Sequence, residues 1–281
     1  MAGSRISKFA LLFESRLNLV WLTLILCAGC GPQRMKFKHP AFITASDAAA
    51  YAQVALEHEN PDTRREAVAA LARSRFCANE SVVRTFSTVA REDPSNSVRH
   101  AAVQALGESG SAEVLEPLLE IITAPDEAPA LGRIPTAEVR YAAMQALDPW
   151  LGGDELTDDQ RQTCRVALLR LLQRNPSRDV RIAAALLLRH FPEREVADGL
   201  AESLRQRDFG VVYECDRSLM HLTGQRFRHD AQAWKAWLAS AADPFAESGG
   251  LDAEIYPPQK GFWERTSESA RRALAGYKPR S

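Results

Sequence analysis

The chain is expected to be all-α, a right-handed superhelix of about five stacked helix pairs. Three observations predict this. Leu and Ala recur at helical spacing, no alternating strand pattern occurs, and one motif returns at a fixed offset of 41 residues. The copies in register are Asp93–Leu106, Ile134–Leu147 and Asn175–Leu188. Self-similarity at a period of about 20–50 residues is the signature of a solenoid.

Each copy has the same physical reading. Val98, Ala102, Ala105 and Leu106 stand at i, i+4, i+7 and i+8, one face of a helix. Its alanines allow a second helix to approach closely. Pro94 stands just before the helix, where a fixed φ and a missing N–H do no harm. One helix pair cannot bury its own apolar face, so pairs must stack.

The pairs follow in order. The first, over 46–74, carries a weaker copy at Pro61–Leu71, and the second spans 80–108. The third, 112–150, opens with the amphipathic stretch Leu115, Pro117, Leu118, Leu119, Ile121 and Ile122. The fourth, 157–190, opens with Val166, Leu168, Leu169, Leu171 and Leu172. The fifth, 194–223, holds another weak copy at Val211–Leu219. Poorer fit at both ends suits units that must cap an array. Thr123–Arg133 interrupts the third pair with two prolines and a glycine, so a loop is expected. It is either a partner-contact loop or a tolerated insertion.

Beyond the fifth pair, Gly224 suits a helix C-cap and Asp230 an N-cap. The helix between 225 and 241 carries Trp234 and Trp237 on one face. These indoles either seal the end of the stack or form a patch for a partner or glycan. Residues 242–281 read as an irregular tail with a short helix beginning near Phe262 and Trp263. This tail either packs back on the solenoid or serves recognition, with Phe262, Trp263 and Tyr277 as the anchors for a partner in the second case.

The repeat resembles the HEAT-repeat family, in particular its PBS-lyase HEAT-like form, over about residues 46–224. That resemblance implies a HEAT/armadillo-type solenoid. It also implies a ladder between units, built from a turn Asp and an Arg six residues on. Asp93 and Arg99 match it, Asn175 with Arg181 nearly does, and Ile134 departs from it beside Arg140. The resemblance makes Arg64, Arg99, Arg140 and Arg181 inter-repeat donors. The other reading of the same row is a groove for an acidic partner. A fold of this kind hosts many functions.

The N-terminus carries an address. Arg5, Lys8 and Arg16 precede the apolar run Leu17–Leu26, about ten residues and too short to span a bilayer. Ala28 and Gly29 are small, and Cys30 follows. The segment resembles a bacterial lipoprotein signal, with Cys27 where the family usually has Leu. It implies cleavage between Gly29 and Cys30 and lipidation of Cys30. Cleavage without lipid and an uncleaved anchor are the alternatives. Residues 30–45 then read as a polar tether, and two or three acyl chains would make release negligible. Gly31 after the cysteine favours the outer membrane over inner-membrane retention.

Removing the leader leaves 32 Lys and Arg against 35 Asp and Glu, a near-neutral balance that argues against nucleic-acid binding. Cys77, Cys164 and Cys215 have no metal-ligand spacing and read as small buried residues, with one bridge possible. His58-Glu59 is a single His-Glu pair, where the di-iron deoxyhypusine hydroxylases carry several, so no metal and no cofactor are expected. No GxSxG, HExxH or P-loop occurs. The expected protein is a lipid-anchored, extracytoplasmic, non-catalytic scaffold that binds protein partners. The alternative is an envelope accessory enzyme or ligand carrier with a site in the groove.

Overall fold

A computed structural model describes residues 35–125 and 134–251. Among them are eleven α-helices: α1 (Ala45–Glu57), α2 (Pro61–Ala72), α3 (Glu80–Glu92), α4 (Asn96–Ser109), α5 (Leu115–Thr123), α6 (Ala137–Leu151), α7 (Asp158–Arg174), α8 (Arg178–Leu187), α9 (Arg194–Ser203), α10 (Phe209–Thr223) and α11 (Ala231–Ser240). The fold is an all-α solenoid. The first ten helices form five consecutive pairs, and α11 packs on α9.

Short polar side chains set most helix starts. The Thr44 and Thr157 hydroxyls accept from the Asp47 and Gln160 amides, and each partner side chain accepts in return from the cap amide. Asn60 precedes Pro61 and accepts from Asp62 N–H. Asp208 and Asp230 each accept from two first-turn amides. Gly110 and Gly224 end α4 and α10 with φ of 65° and 68°, in the left-handed region that suits glycine.

The pairs stack in two layers. The second helices α2, α4, α6, α8 and α10 touch neighbour to neighbour. Ala102, Ala143 and Ala184, at equivalent repeat positions, are fully buried between them. Gly107 of α4 lies so near α6 that a Cβ there would stand 2.9 Å from Ala146 Cβ. Small residues therefore set the spacing of this layer. Leu106, Leu118, Ile122, Met144, Leu147, Leu168 and Leu171 fill the space between the layers. Each such side chain contributes about 1.5–3 kcal/mol on burial.

The first helices form the other layer, and exposed ion pairs cross its seams. Arg91 reaches Glu120 at 2.9 Å between α3 and α5. Lys235 pairs with Glu202 between α11 and α9. Pairs this exposed contribute about 0–1 kcal/mol each. At the N-terminal end, the Phe37 ring stands edge-on to Tyr51 at 4.9 Å, and Lys38 N–H donates to the Tyr51 hydroxyl at 2.9 Å. The chain leading into α1 is thereby held on the solenoid. No described helix is long and apolar enough to cross a membrane.

Candidate functional site

The recurrent arginines lie at one position, four residues after each N-cap. There the side chain points back at the C-terminus of the first helix of its own pair. Arg64 Nη1 donates to His58 O at 2.7 Å, Arg99 Nη1 to Asp93 O at 2.7 Å, and Arg181 Nη1 to Asn175 O at 2.8 Å. Arg140 Nη2 donates to Ala124 O at 2.9 Å. All four acceptors are C-cap residues. A guanidinium placed there satisfies an orphan carbonyl and faces the negative end of the helix dipole.

The spacing explains where the third unit departs. In three units the acceptor precedes the arginine by six residues, and in the third by sixteen. The insertion enters after the C-cap, so Ala124, not Ile134, holds the turn position beside Arg140. Residues 126–133, most of the candidate partner loop, lie outside the described residues.

The link between the first two units is made by Arg64. Asp93 accepts from Arg64 of the preceding unit, at 2.7 Å from Nε and 2.9 Å from Nη2. Arg99 binds the Asp93 backbone carbonyl and the Asn96 side chain. The Arg64–Asp93 pair is buried, which makes it a bidentate, desolvated contact.

Arg99 and Arg140 are buried inside the stack, with 4% and 2% exposure. Their placement as partner-contacting side chains is therefore corrected: both hold turns together. Arg181 is half-buried and lines an open concavity of about 570 Å³ with Arg174, Arg205, Gln206 and Arg207. This basic edge lies at the turns of the fourth and fifth pairs. Its exposed members are not in the repeat motif, so periodicity could not single them out.

The C-terminal end is aromatic. Trp234 is fully buried, and its Nε1 donates to Asp216 Oδ1 at 2.7 Å. Phe227 stands edge-on to Trp234 at 4.8 Å and lies 6.0 Å from Trp237. Trp234 as a partner contact is thus also corrected; it locks α11 to α10. Trp237 is half-buried against the same cluster. On the outer side of α10, Phe209 and Tyr213 are 69% and 47% exposed and lie around the His229 ring. Arg228 and His229 both have positive φ, 49° and 64°, in the loop that presents this ring. The i, i+4 spacing of Phe209 and Tyr213 was the available sequence signal for this face.

A charged cluster joins the last three second helices. Asp148 of α6 accepts from Arg189 Nη2 at 2.9 Å and lies 2.8 Å from His190 Nε2. Burial raises its carboxyl pKa, but the His190 hydrogen bond and the Arg189 charge outweigh this and hold it below the usual range. Glu214 of α10 is pushed upward by burial, which Arg217 and Arg189 only partly offset.

Cys77, Cys164 and Cys215 are free thiols. Burial pushes Cys164 up to about 12 and raises Cys215 also, as in inert structural cysteines. His58 Nδ1 accepts from Asn60 N–H at 3.0 Å, so the His58-Glu59 pair belongs to the first turn. Among the described residues no His, Cys, Asp and Glu group has the arrangement of a metal site. Gly29, Cys30 and Trp263 lie outside the described residues.

No curated protein matches the chain. The sequence profile of HEAT repeats matches residues 48–131, from α1 past the end of α5, and together with the five stacked pairs this supports a HEAT-repeat protein.

Proposed function

We propose that this protein is a lipid-anchored scaffold on the extracytoplasmic face of a bacterial membrane, where it binds protein partners without catalysing a reaction. The observation that carries the binding role is the exposed aromatic face of Phe209 and Tyr213 around His229. Large aromatic side chains left in solvent beside a strained loop are typical anchors of a protein interface. HEAT repeats commonly serve as protein-interaction scaffolds, which supports the same reading. The anchor rests on the sequence alone: a basic start, a short apolar run, and Ala28-Gly29-Cys30.

In-cell cross-linking tests both halves. Tagged protein is purified from the membrane fraction beside Cys30→Ser and Phe209→Ala/Tyr213→Ala. A recurrent partner that is lost with the aromatic variant is the expected result. Cys30→Ser should leave the membrane fraction. A soluble, solitary wild type would sink the proposal.

A further inference from the structure

We infer that the basic edge between the fourth and fifth pairs is a carboxylate-binding site, built to receive an acidic segment of a partner protein. The inference rests on the scaffold reading for its source of carboxylate, and names the chemistry of that partner.

The template for the site lies elsewhere in the chain. Arg64 and Arg181 occupy the same repeat position, and each uses Nη1 on its own turn carbonyls. Arg64 then gives Nε and Nη2 to both oxygens of Asp93 in the next unit. For Arg181 the next unit offers no carboxylate at that place. Two residues before the N-cap, where the second unit has Asp93, the fifth has Gln206. The Gln206 amide nitrogen donates instead to Leu172 O at 3.3 Å. Arg181 Nε is consequently buried without a hydrogen-bond partner. A buried donor left unpaired costs about 1–3 kcal/mol, which an incoming oxygen would recover.

The surroundings match that need. Arg174, Arg205 and Arg207 are exposed around the same concavity. The nearby acids are already engaged. Asp208 pairs with Arg178 at 3.0 Å and caps α10, and Glu202 pairs with Lys235 and with Arg205. Arg174 and Arg207 make no ion pair among the described residues. A guanidinium whose Nε has no partner, flanked by Arg174 and Arg207, fits a carboxylate better than an isolated charge. An acidic peptide chain would place one carboxylate on Arg181 and others near Arg174 and Arg207.

The test uses the full chain in detergent and a fluorescein-labelled octaglutamate peptide, with its octaglutamine counterpart as control. Anisotropy should rise with the acidic peptide only. Arg181→Lys keeps the charge but loses the fork, and should weaken binding about tenfold. Arg174→Ala/Arg207→Ala alters exposed side chains without internal bonds. It should weaken binding comparably while melting like wild type, and should flatten the salt dependence. Arg84→Ala, on α3, should bind as wild type does. Equal binding by all variants would overturn the site, as would displacement by inorganic phosphate at concentrations where acetate has no effect. A cross-linked partner recovered despite such a failure would leave the scaffold reading standing.

Discussion

Arg64 and Asp93 form a bidentate ion pair between the first and second repeats, with donor distances of 2.7 and 2.9 Å and both side chains buried. The pair does more than tie two turns. Asp93 Oδ1 also accepts from Ser95 N–H at 2.7 Å, so the same carboxylate shapes the turn into α4. Removing either partner leaves the other charge buried and uncompensated. Arg64→Ala and Asp93→Ala are each expected to cost about 3–5 kcal/mol. The double variant should cost clearly less than the sum, because neither orphan remains. Chemical denaturation of the four proteins measures this coupling. Additive losses would mean that the pair is not a unit.

Trp234 provides the corresponding lock at the C-terminal end. It stands four residues after its N-cap, the position arginine holds in the first four pairs, and reaches back to Asp216 at 2.7 Å. Trp234→Phe preserves most of the apolar volume and deletes the indole donor. It should destabilise by about 1.5–3 kcal/mol, the range for a hydrogen bond to a charged group. Asp216→Asn, which still offers an acceptor oxygen, should cost less. Thermal melts of both variants decide. An unperturbed Trp234→Phe would show that ring packing alone holds α11.

The helix pairs were legible because their cause is periodic. Val98, Ala102 and Leu106 repeat at the 41-residue offset, and so do the buried faces they form. Caps such as Asn60, Asp208 and Asp230 are local chemistry and were equally open to reading. The ladder was legible only as residue types. Asp93 and Arg99 are six apart, yet the carboxylate goes to Arg64, 29 residues back. Which arginine wins depends on the stagger between units, and spacing within one unit does not encode that. Beside Arg140 the 41-residue offset points to Ile134, whereas the turn position is held by Ala124, before the insertion. For Trp234 the sequence offers sealing of the stack's end or a partner patch and does not show the lock itself, because Asp216 lies in another helix and burial emerges only on packing.

The close approach of the second helices makes a stabilising-looking substitution harmful. Ala is favoured over Gly in a helix interior by about 1 kcal/mol. At Gly107, however, a new Cβ would stand 2.9 Å from Ala146 Cβ and 3.4 Å from its Cα, and the latter is backbone. Overpacking of this kind costs about 1–3 kcal/mol. Gly107→Ala is expected to be net destabilising, lowering Tm by about 2–4 °C for each kcal/mol lost. A higher Tm would mean that α4 and α6 can separate without loss, contrary to a spacing set by small residues.

The charged cluster of the last three second helices should show two opposite pH dependences. Glu214 has a folded pKa above its ordinary value of 4.5, with burial as the leading cause. Its ionised form is therefore less favourable in the fold than in the unfolded chain. Stability from this group falls as pH rises from 4.5 through the higher folded value, and the penalty persists at neutral pH. Glu214→Gln removes it and should raise Tm at pH 7, with the gain vanishing below pH 4.5. Asp148 is the reverse case. Its folded pKa lies below 3.8, so it contributes stability above that value and loses it as pH falls through the folded pKa. Asp148→Asn should lower Tm at pH 7, and the difference from wild type should shrink only in strong acid. Melting curves of the three proteins from pH 3 to 8 separate the effects. Shifts of the same sign for both variants would mean that Arg189, which donates to Asp148 at 2.9 and 3.0 Å, serves the two carboxylates alike.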